Sequence, residues 1–229
     1  MLEVRGLESG TWRRPVNLTV PEGGTVLLLG RNGAGKTTFL NTVAGLFAVR
    51  AGSVWVGGRD LTAGSAADRC RAGVRIALEG RQVFARLSVR KNLLLGRYVR
   101  CSGGDATADL NWVLGVFPAL REKLDARAGD LSGGQQTQVN IGRALMGQPR
   151  VLLLDEPALG LSPQVTEQLI DALKWIQVDR RVAVVIADQG PAFVRAFPER
   201  VALMAGGEVV YDGPWERADS EGWLRRVFF

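Results

Sequence analysis

The stretch GRNGAGKTT at residues 30–38 follows an apolar run, TVLLL at 25–29, and opens a segment with apolar residues at helical spacing. It fits the pattern G-x-x-x-x-G-K-[ST] at every fixed position. In this pattern the glycines let backbone N–H groups turn towards phosphate oxygens, and the start of the helix adds partial positive charge. A strand, a glycine-rich loop and a helix in this order predict a phosphate-binding loop for a nucleoside triphosphate.

Each side chain of this loop has an expected role. Lys36 has the reach to contact the β- and γ-phosphates of ATP, and the Thr37 hydroxyl suits Mg²⁺. The candidate nucleotide-binding residues are Gly30, Arg31, Asn32, Gly33, Ala34, Gly35, Lys36, Thr37 and Thr38. The sequence therefore predicts ATP and Mg²⁺ as cofactors.

The overall composition is that of a globular protein. The 229 residues are 46% hydrophobic and 23% charged, enough for one sizeable core. No apolar run approaches the roughly 18 residues of a membrane-spanning helix. The start, MLEVRGLESG, lacks the basic-then-apolar layout of a signal peptide. We therefore expect a soluble chain that stays in the compartment where it is made.

Cysteine and histidine content narrows the chemistry further. Histidine is absent, and the two cysteines are Cys70 and Cys101. This content excludes Ser-His and Cys-His hydrolases and a disulfide framework, and it favours a reducing cytosol. The net charge is +6, with arginine supplying 25 of the 29 basic residues, scattered along the chain. That charge suits nucleic acid or an anionic membrane surface, and it does not decide between them.

Short β-rich runs alternate with helical stretches, which predicts a mostly parallel sheet with helices on both faces. The region of about 85–145 has helical patterns without strong strands, so we expect a helical lobe inserted into the α/β core. The predicted strands are 25–30, 53–56, 74–78, 151–156, 182–188, 200–205 and 208–213, and the predicted helices are 89–99, 106–117, 134–147, 163–177 and 191–197.

An acidic pair ends one of these strands. In VLLLDEP (151–157) a buried apolar run exits the sheet at Asp155 and Glu156. Ligands of open α/β sheets bind at the carboxyl ends of the strands, so both carboxylates should face the phosphates. Asp155 suits the metal, and Glu156 suits a general base that polarises an attacking water. A solvated acidic turn is the alternative, which the phosphate-binding loop makes unfavourable.

A second glycine-rich box, LSGGQ at 131–135, precedes a predicted helix but lacks a lysine. Ser132 and the glycine N–H groups then lie at a positive helix end, which suits a γ-phosphate. One chain cannot easily fold both boxes onto one nucleotide. Two copies arranged head to tail could, each offering its box to the other's ATP.

The order and spacing of the loop, LSGGQ and VLLLDEP resemble those of the ATP-binding-cassette ATPases over residues 2–213. The resemblance implies an α/β fold: a P-loop (RecA-like) core with a mostly parallel sheet, an antiparallel β lobe and an inserted helical signature lobe. It further implies that Leu131, Ser132, Gly133, Gly134 and Gln135 form the signature motif, which acts on the ATP of a partner subunit. The expected divisions are core with β lobe at 1–84 and 146–213, helical subdomain at 85–145 and tail at 214–229.

Two longer stretches resemble the ATPase subunits of branched-chain amino acid importers. They are LEGRQVFARLSVRKNLLLG (78–96) and EPALGLSP (156–163). Most cassettes have a coupling glutamine, and in that group a glutamate takes its position, which Glu79 matches. Glu79 therefore joins Thr37 and Asp155 as an expected metal-binding residue. A glutamine takes the switch position, which Gln189 matches. The resemblance thus implies Glu156 and Gln189 as catalytic residues in a chain without histidine.

The chain departs from the family at several positions. The amino-terminal stretch is shorter than usual, and Trp12 is the candidate for the aromatic that stacks on adenine. Packing of Trp12 against the core or on the surface is an equal alternative. Ser162 and Asp188 replace an aspartate and a glutamate that are common in cassettes. These differences affect expected loop geometry and coupling, but not the expected ATP binding.

The resemblance implies partners as well as chemistry. We expect transmembrane permease subunits, a second ATPase subunit in a homo- or heterodimer, and indirectly an extracytoplasmic solute-binding protein, with no nucleic acid. The chain would lie peripherally on the cytoplasmic side of the membrane and drive uptake of branched-chain or related amino acids. The alternatives are a urea or short-amide importer ATPase, a non-transport cassette on ribosomes or DNA, and a small P-loop kinase or GTPase, which would not need LSGGQ.

Overall fold

The computed structural model describes residues 1–10, 12–98, 104–189, 191–197 and 199–228, with the side chains of 12, 13, 191 and 192 also outside the description. Within these ranges, no helix has both the length and the apolar character needed to span a bilayer. The strands are β1 (Leu2–Ser9), β2 (Trp12–Val20), β3 (Thr25–Leu29), β4 (Val49–Val56), β5 (Arg59–Asp60), β6 (Val74–Ala77), β7 (Val151–Asp155), β8 (Ala183–Asp188), β9 (Val201–Ala205) and β10 (Glu208–Gly213).

The helices lie between these strands and after the last of them. They are α1 (Lys36–Val43), α2 (Ala66–Arg71), α3 (Val89–Leu95), α4 (Ala106–Val116), α5 (Gly133–Leu145), α6 (Pro163–Arg180), α7 (Pro191–Ala196), α8 (Trp215–Ser220) and α9 (Trp223–Phe228). Short 3₁₀ turns at Pro118–Lys123 and Ala128–Asp130 connect α4 to α5.

A six-stranded sheet forms the centre of the protein, in the order β10-β9-β3-β8-β7-β6. All neighbours are parallel except β10, which pairs antiparallel with β9. The strand before the phosphate-binding loop, β3, lies beside β8, and β8 lies beside β7. Because the carboxyl ends of parallel strands meet at one edge, the loop after β3 and the polar residues that end β7 and β8 lie together.

Both faces of this sheet are buried, which explains why its strands are apolar throughout rather than alternating. Side chains of a strand point to opposite faces in turn. On β3, Leu27 and Leu29 enter the hydrophobic core that includes the helices of the 85–145 segment. Val26 and Leu28 enter the second core, which includes α1 and the antiparallel sheet.

The second sheet is antiparallel, in the order β2-β1-β4-β5. Its strand β1 alternates between buried and less buried positions until the pairing shifts register between Val4 and Leu7. Gly6 lies at this shift with φ 56°, and a Cβ on Gly52 of β4 would come within 2.2 Å of the Gly6 carbonyl oxygen. These two glycines therefore let β1 and β4 approach closely at the irregularity.

The predicted fold class is confirmed: an α/β core with a mostly parallel sheet, an antiparallel lobe and helices inserted between β6 and β7. Every predicted strand and helix has a counterpart, although residue 99 of the predicted helix 89–99 lies outside the described residues. The prediction had no elements at β1, β2, β5, α2, α8 or α9. The division into subdomains at 85, 145 and 213 stays a prediction.

Candidate active site

The phosphate-binding loop joins the end of β3 to the start of α1. Gly35 precedes the helix with φ 105°, and Gly33 has φ 79°, conformations that a side chain would strain. Gly30 is required for a different reason, since a Cβ there would lie 2.3 Å from the backbone oxygen of Met204 on β9. Backbone conformation thus requires glycine at positions 33 and 35, and close packing requires it at position 30.

Lys36 begins α1, and its ammonium group is held inside the loop. The residue is 5% exposed, and its Nζ donates to the carbonyl oxygens of Gly30 at 2.8 Å and Arg31 at 3.4 Å. The same Nζ lies 3.4 Å from Oε1 of Glu156. Lys36 therefore brings a buried cation between the loop and the acidic end of β7, where a phosphate chain would bind.

Asp155 ends β7 with both carboxylate oxygens buried. Neither oxygen accepts a hydrogen bond of ordinary geometry from the described residues. Burial raises the pKa of Asp155, the nearby Thr37 hydroxyl lowers it in part, and the charges of Glu79 and Glu156 raise it further. A buried carboxylate beside a hydroxyl and other acidic groups is a site that a cation would stabilise.

The residues present fit Mg²⁺. This ion prefers oxygen ligands and commonly takes one or two from the protein and the rest from phosphates and water. Within the described ranges, no three or more His, Cys, Asp or Glu side chains form a metal cluster. Thr37 and Asp155 supply the right type and number of oxygen ligands for an ion shared with phosphates. Glu79 lies near enough for its negative charge to raise the pKa of Asp155.

Glu156 follows β7 in an unusual backbone conformation. Its φ is 47°, a left-handed value that costs a non-glycine residue of the order of 1–3 kcal/mol. The Glu156 N–H donates to the carbonyl of Ala187 on the neighbouring strand β8 at 2.8 Å, which helps to hold that conformation. The turn directs the side chain back towards the loop, where it meets Lys36.

Gln189 joins the parts of the site. It follows β8, and its Nε2 donates to Oε1 of Glu156 at 2.7 Å and to Oδ1 of Asn32 at 2.5 Å. The Gln189 backbone N–H is fixed by the Asp188 carboxylate at 2.7 Å. One side chain therefore connects the phosphate-binding loop with the carboxylate after β7.

The LSGGQ box caps α5. The Ser132 hydroxyl accepts from the Gln135 N–H at 3.4 Å, and the Gln135 side chain accepts from the Ser132 N–H at 3.2 Å. This reciprocal cap satisfies N-terminal donors of the helix and leaves its positive end facing outwards. Leu131 anchors the box in the core. No hydrogen bond or ion pair joins residues 131–135 to residues 30–38, all of which the structure describes.

The two glycines of the box lie in close contact with other side chains, and Gly134 is the more tightly packed of the two. A Cβ on Gly133 would lie 2.4 Å from the guanidinium carbon of Arg81, and one on Gly134 would lie 2.8 Å from Val165 of α6. Arg81 thus lies beside Gly133 in the first turn of α5, a placement that no motif predicts. The only sequence signal for it was its position two residues after Glu79.

The segment carrying Glu79 is bonded to α5 rather than to the sheet. Asn140 Nδ2 donates to the Leu78 carbonyl at 3.2 Å, and Arg143 Nη2 donates to the Gln82 carbonyl at 2.6 Å. A cavity between this segment, α5 and the end of β7 includes Arg81, Asp155 and Glu156 in its wall. No sequence motif indicates that Asn140 and Arg143 hold the Glu79 segment.

The structure brings together most of the predicted site residues at one edge of the sheet. The loop, Asp155, Glu156 and Gln189 are in mutual contact or electrostatic range, with Glu79 next to them. The box 131–135 lies at the start of α5, whose residues Thr137, Asn140 and Ile141 line the same cavity as Asp155 and Glu156. The predicted stacking of Trp12 on adenine lies outside the described residues, because its side chain is not described.

Comparison with known proteins gives consistent matches. The family model described as "ABC transporter" matches residues 13–159. The high-affinity branched-chain amino acid transport ATP-binding protein BraG of Pseudomonas aeruginosa is 35% identical over 195 residues, covering 85% of this chain and 83% of BraG. The phosphonates import ATP-binding protein PhnC of Bacillus cereus is 33% identical over 222 residues, covering 90% of this chain and 84% of PhnC.

Solved structures show the same fold. A nucleotide-free ATP-binding cassette from an ABC transporter superposes with a TM-score of 0.88 at 21% identity, covering 100% of this chain and 98% of that one. A dimeric post-hydrolysis state of the cassette MJ0796, bound to ADP and phosphate, has a TM-score of 0.82 at 21% identity, covering 94% and 99%. At these identities the structural likeness concerns the fold alone.

Proposed function

Since the chain belongs to the ABC transporter family, we propose that it is the ATP-hydrolysing subunit of an importer for branched-chain or related amino acids. That it is an ABC-type ATPase follows from the family itself. The proposal concerns the residues that perform hydrolysis, the partner subunits and the solute. The observation that carries it is the convergence of Lys36, Glu156 and Gln189 through contacts of 2.7–3.4 Å at one sheet edge.

Binding of the triphosphate falls to the loop. Its N–H groups and the start of α1 would face the phosphate oxygens, and Lys36 would neutralise charge on the β- and γ-phosphates. Thr37 and Asp155 would hold Mg²⁺, with Glu79 as a further carboxylate near the ion. The bound ion would neutralise phosphate charge and orient the γ-phosphate.

Glu156 is the proposed general base for hydrolysis. In this proposal its carboxylate takes a proton from the water that attacks the γ-phosphorus, as the bond to the leaving ADP oxygen breaks. Gln189 Nε2 donates a hydrogen bond to the same carboxylate at 2.7 Å. Gln189 therefore positions the base but does not itself accept the proton. The bond from Gln189 to Asn32 links that position to the loop, which gives the glutamine a direct means of sensing the γ-phosphate.

The LSGGQ box is proposed to complete the site of a second subunit. Its outward-facing helix end and its lack of contact with its own loop both favour use by a neighbour. A mixture of Ser132→Arg and Lys36→Ala chains tests this arrangement. In a head-to-tail dimer of the two, one site carries both changes and the other carries neither.

The expected result is recovery of ATPase activity on mixing two preparations that are each inactive. Titrating one chain against the other should give a maximum near equal amounts. If the box acted within its own chain, both sites of every mixed dimer would carry a change and no ratio would recover activity. Wild-type chain mixed with each variant controls for the concentration dependence of dimerisation.

An exposed apolar patch on the helical segment is the proposed contact for the permease. It consists of Phe84, Leu94, Leu95 and Tyr98, of which Tyr98 is 89% exposed. Exposed apolar groups of this kind mark interaction surfaces. The Phe84 backbone exchanges two hydrogen bonds with the Asn92 side chain, which fixes it to α3. Phe84→Ser with Tyr98→Ser should abolish co-purification with the permease, whereas Val178→Ser, at an apolar position that is 83% exposed, should not.

Phosphonate uptake is a second candidate, because PhnC is nearly as similar to this chain as BraG is. The urea or short-amide alternative also stands as a proposal. Uptake of labelled leucine, 2-aminoethylphosphonate and urea should be measured in cells that lack the chain and are complemented with wild type or Glu156→Gln. Leucine uptake restored by wild type alone would support the first candidate. Restoration of one of the other solutes alone would replace it.

A further inference from the structure

We infer that the chain has a second anion site, at the opposite edge of the central sheet from the nucleotide site, which takes a phosphate group. It is a cavity of about 460 Å³ with four arginines, Arg59, Arg71, Arg75 and Arg150, in its wall and no acidic residue among those that line it. Below we refer to it as the arginine cavity. Its size falls in the range of small-molecule sites in proteins.

The arginine cavity lies at the amino ends of two parallel strands. Arg150 immediately precedes β7, and Gly73 immediately precedes β6. Asp155 is at the other end of β7, five residues from Arg150, which is about 16 Å at roughly 3.3 Å per residue, and Glu156 follows it. A ligand in the cavity is therefore separate from the nucleotide and does not share its phosphate-binding loop.

Arg75 forms the fixed part of the wall. It is 7% exposed, and its guanidinium donates to the carbonyl oxygens of Gly147 and Val74, both at 3.1 Å, and also to that of Cys70. Cys70 and Gly147 lie at the carboxyl ends of α2 and α5, where partial negative charge accumulates. Arg75 thus offsets the helix ends and removes their repulsion of an anion.

Arg59 and Arg150 supply the surplus positive charge. Neither forms an ion pair with a carboxylate within the part of the chain that the structure describes. Arg150 Nη1 would lie 3.1 Å from a Cβ on Gly57, so its guanidinium lies beside Gly57, and Arg59 lines the same cavity. Two exposed guanidinium groups from different segments therefore face one concavity.

The acidic side chains of this region are engaged elsewhere. Asp60 accepts from the Thr62 N–H and hydroxyl, and those bonds lower its pKa. Asp68 caps α2 through Ser65 and pairs with Arg71 at 2.8 Å. Arg71 is therefore partly neutralised, and Arg59 and Arg150 remain for a ligand. Guanidinium groups bind phosphate through paired N–H donors, so a phosphate monoester or a phospholipid headgroup fits this chemistry best.

The test uses the full chain preloaded with a non-hydrolysable ATP analogue, so that the whole nucleotide site, including the γ-phosphate position, is occupied in every sample. Inorganic phosphate is titrated by calorimetry in one arm. In the other, sedimentation measures binding to vesicles of phosphatidylglycerol, with phosphatidylcholine vesicles as the neutral reference. Arg59→Gln/Arg150→Gln is compared with Arg121→Gln/Arg225→Gln, which removes the same charge from exposed positions outside the cavity.

We expect the cavity variant to lose roughly tenfold or more in affinity, because two charged hydrogen-bonding groups are removed, while the control matches wild type. Loss in the phosphate arm identifies a free phosphate ligand, and loss in the vesicle arm alone identifies a lipid headgroup. Equal binding by cavity variant and control in both arms overturns the inference. Unchanged affinity for the ATP analogue shows that the cavity variant is folded, and Arg150→Lys, which keeps the charge but loses the paired donors, gives an intermediate loss.

Discussion

Replacing Glu156 with glutamine removes the proposed base with little change in shape. The carboxylate Oε1 lies 3.4 Å from Lys36 Nζ and accepts from Gln189 Nε2 at 2.7 Å. A glutamine oxygen at the same position still accepts from Gln189, so the side chain stays in place, but it cannot take a proton. A positioned general base contributes about 10²–10⁴-fold to rate, and we expect turnover to fall by that factor.

The same change should leave ATP binding intact or strengthen it. The lost carboxylate competes with phosphate for Lys36, so its removal makes the lysine more available to the nucleotide. Bound, uncleaved ATP should then hold two chains together. Turnover is measured as phosphate release, affinity with a labelled ATP analogue, and association by sedimentation with ATP and Mg²⁺.

Glu122→Gln is the matched control, since Glu122 is an exposed glutamate on a 3₁₀ turn remote from the sheet edge. It should behave as wild type in all three measurements. Turnover by Glu156→Gln within a fewfold of wild type would refute the assignment of Glu156 as base. Loss of ATP binding together with turnover would show instead that the carboxylate stabilises the loop.

Other substitutions test the remaining groups. Lys36→Ala should weaken ATP binding by more than tenfold in an equilibrium assay, because a buried cation facing the phosphates is lost; unchanged affinity would mean that backbone N–H groups carry the binding. Ser132→Arg should leave ATP binding to the monomer unchanged while blocking dimer formation in sedimentation, and loss of monomer binding in a folded chain would place the box in its own site. Asp155→Asn should raise the melting temperature of the nucleotide-free chain at pH 7 but not near pH 3.8 or below. Burial raises the pKa of Asp155 above its ordinary value of 3.8, so its ionisation destabilises the folded state as the pH rises. Equal effects at both pH values would rule out this origin. Gln189→His should retain ATPase activity, since imidazole also donates a hydrogen bond to Glu156, and a collapse of activity in a folded, dimerising variant would count against Gln189 as the sensor.

The sequence was most informative where one rule governs the geometry. Parallel strands place their carboxyl ends together, so a loop after β3 and carboxylates after β7 had to converge once the strands were assigned. The same rule brought Gln189 into the site from the end of β8. The position of these groups could therefore be predicted without knowledge of any side-chain contact.

The antiparallel sheet was harder to predict strand by strand. Its strand β1 begins with alternating buried residues, but the shift at Gly6 interrupts the period of two that identifies a half-buried strand. The partner strand β2 contains Pro15, which weakens the strand signal further. The close approach of Gly6 and Gly52 explains why both positions are glycine. It depends on the pairing of β1 with β4, which the local sequence does not predict.

Contacts between segments that are distant in the chain could not be predicted from the sequence for a related reason. The left-handed conformation of Glu156 depends on a bond to Ala187, and the placement of Arg81 depends on the absence of a side chain at Gly133. Neither is encoded in a motif. Both arise from the way in which the strands and α5 are brought together by the whole fold.

The bonding of the Glu79 segment to α5 gives this segment a different attachment from that of the strand before it. Ala77 is the last residue of β6 and pairs with Leu154 in the central sheet, whereas the carbonyl of the next residue, Leu78, is held by Asn140 of α5. Consecutive residues are therefore held by two different parts of the fold, the sheet and α5, on either side of a single peptide unit. When a neighbouring subunit's nucleotide pulls on the amino end of α5, we expect residues 78–84 to travel with the helix and rotate about that peptide. Phe84 would then be displaced together with the LSGGQ box, so that association with a second subunit and movement of the patch proposed for the permease would occur as one event.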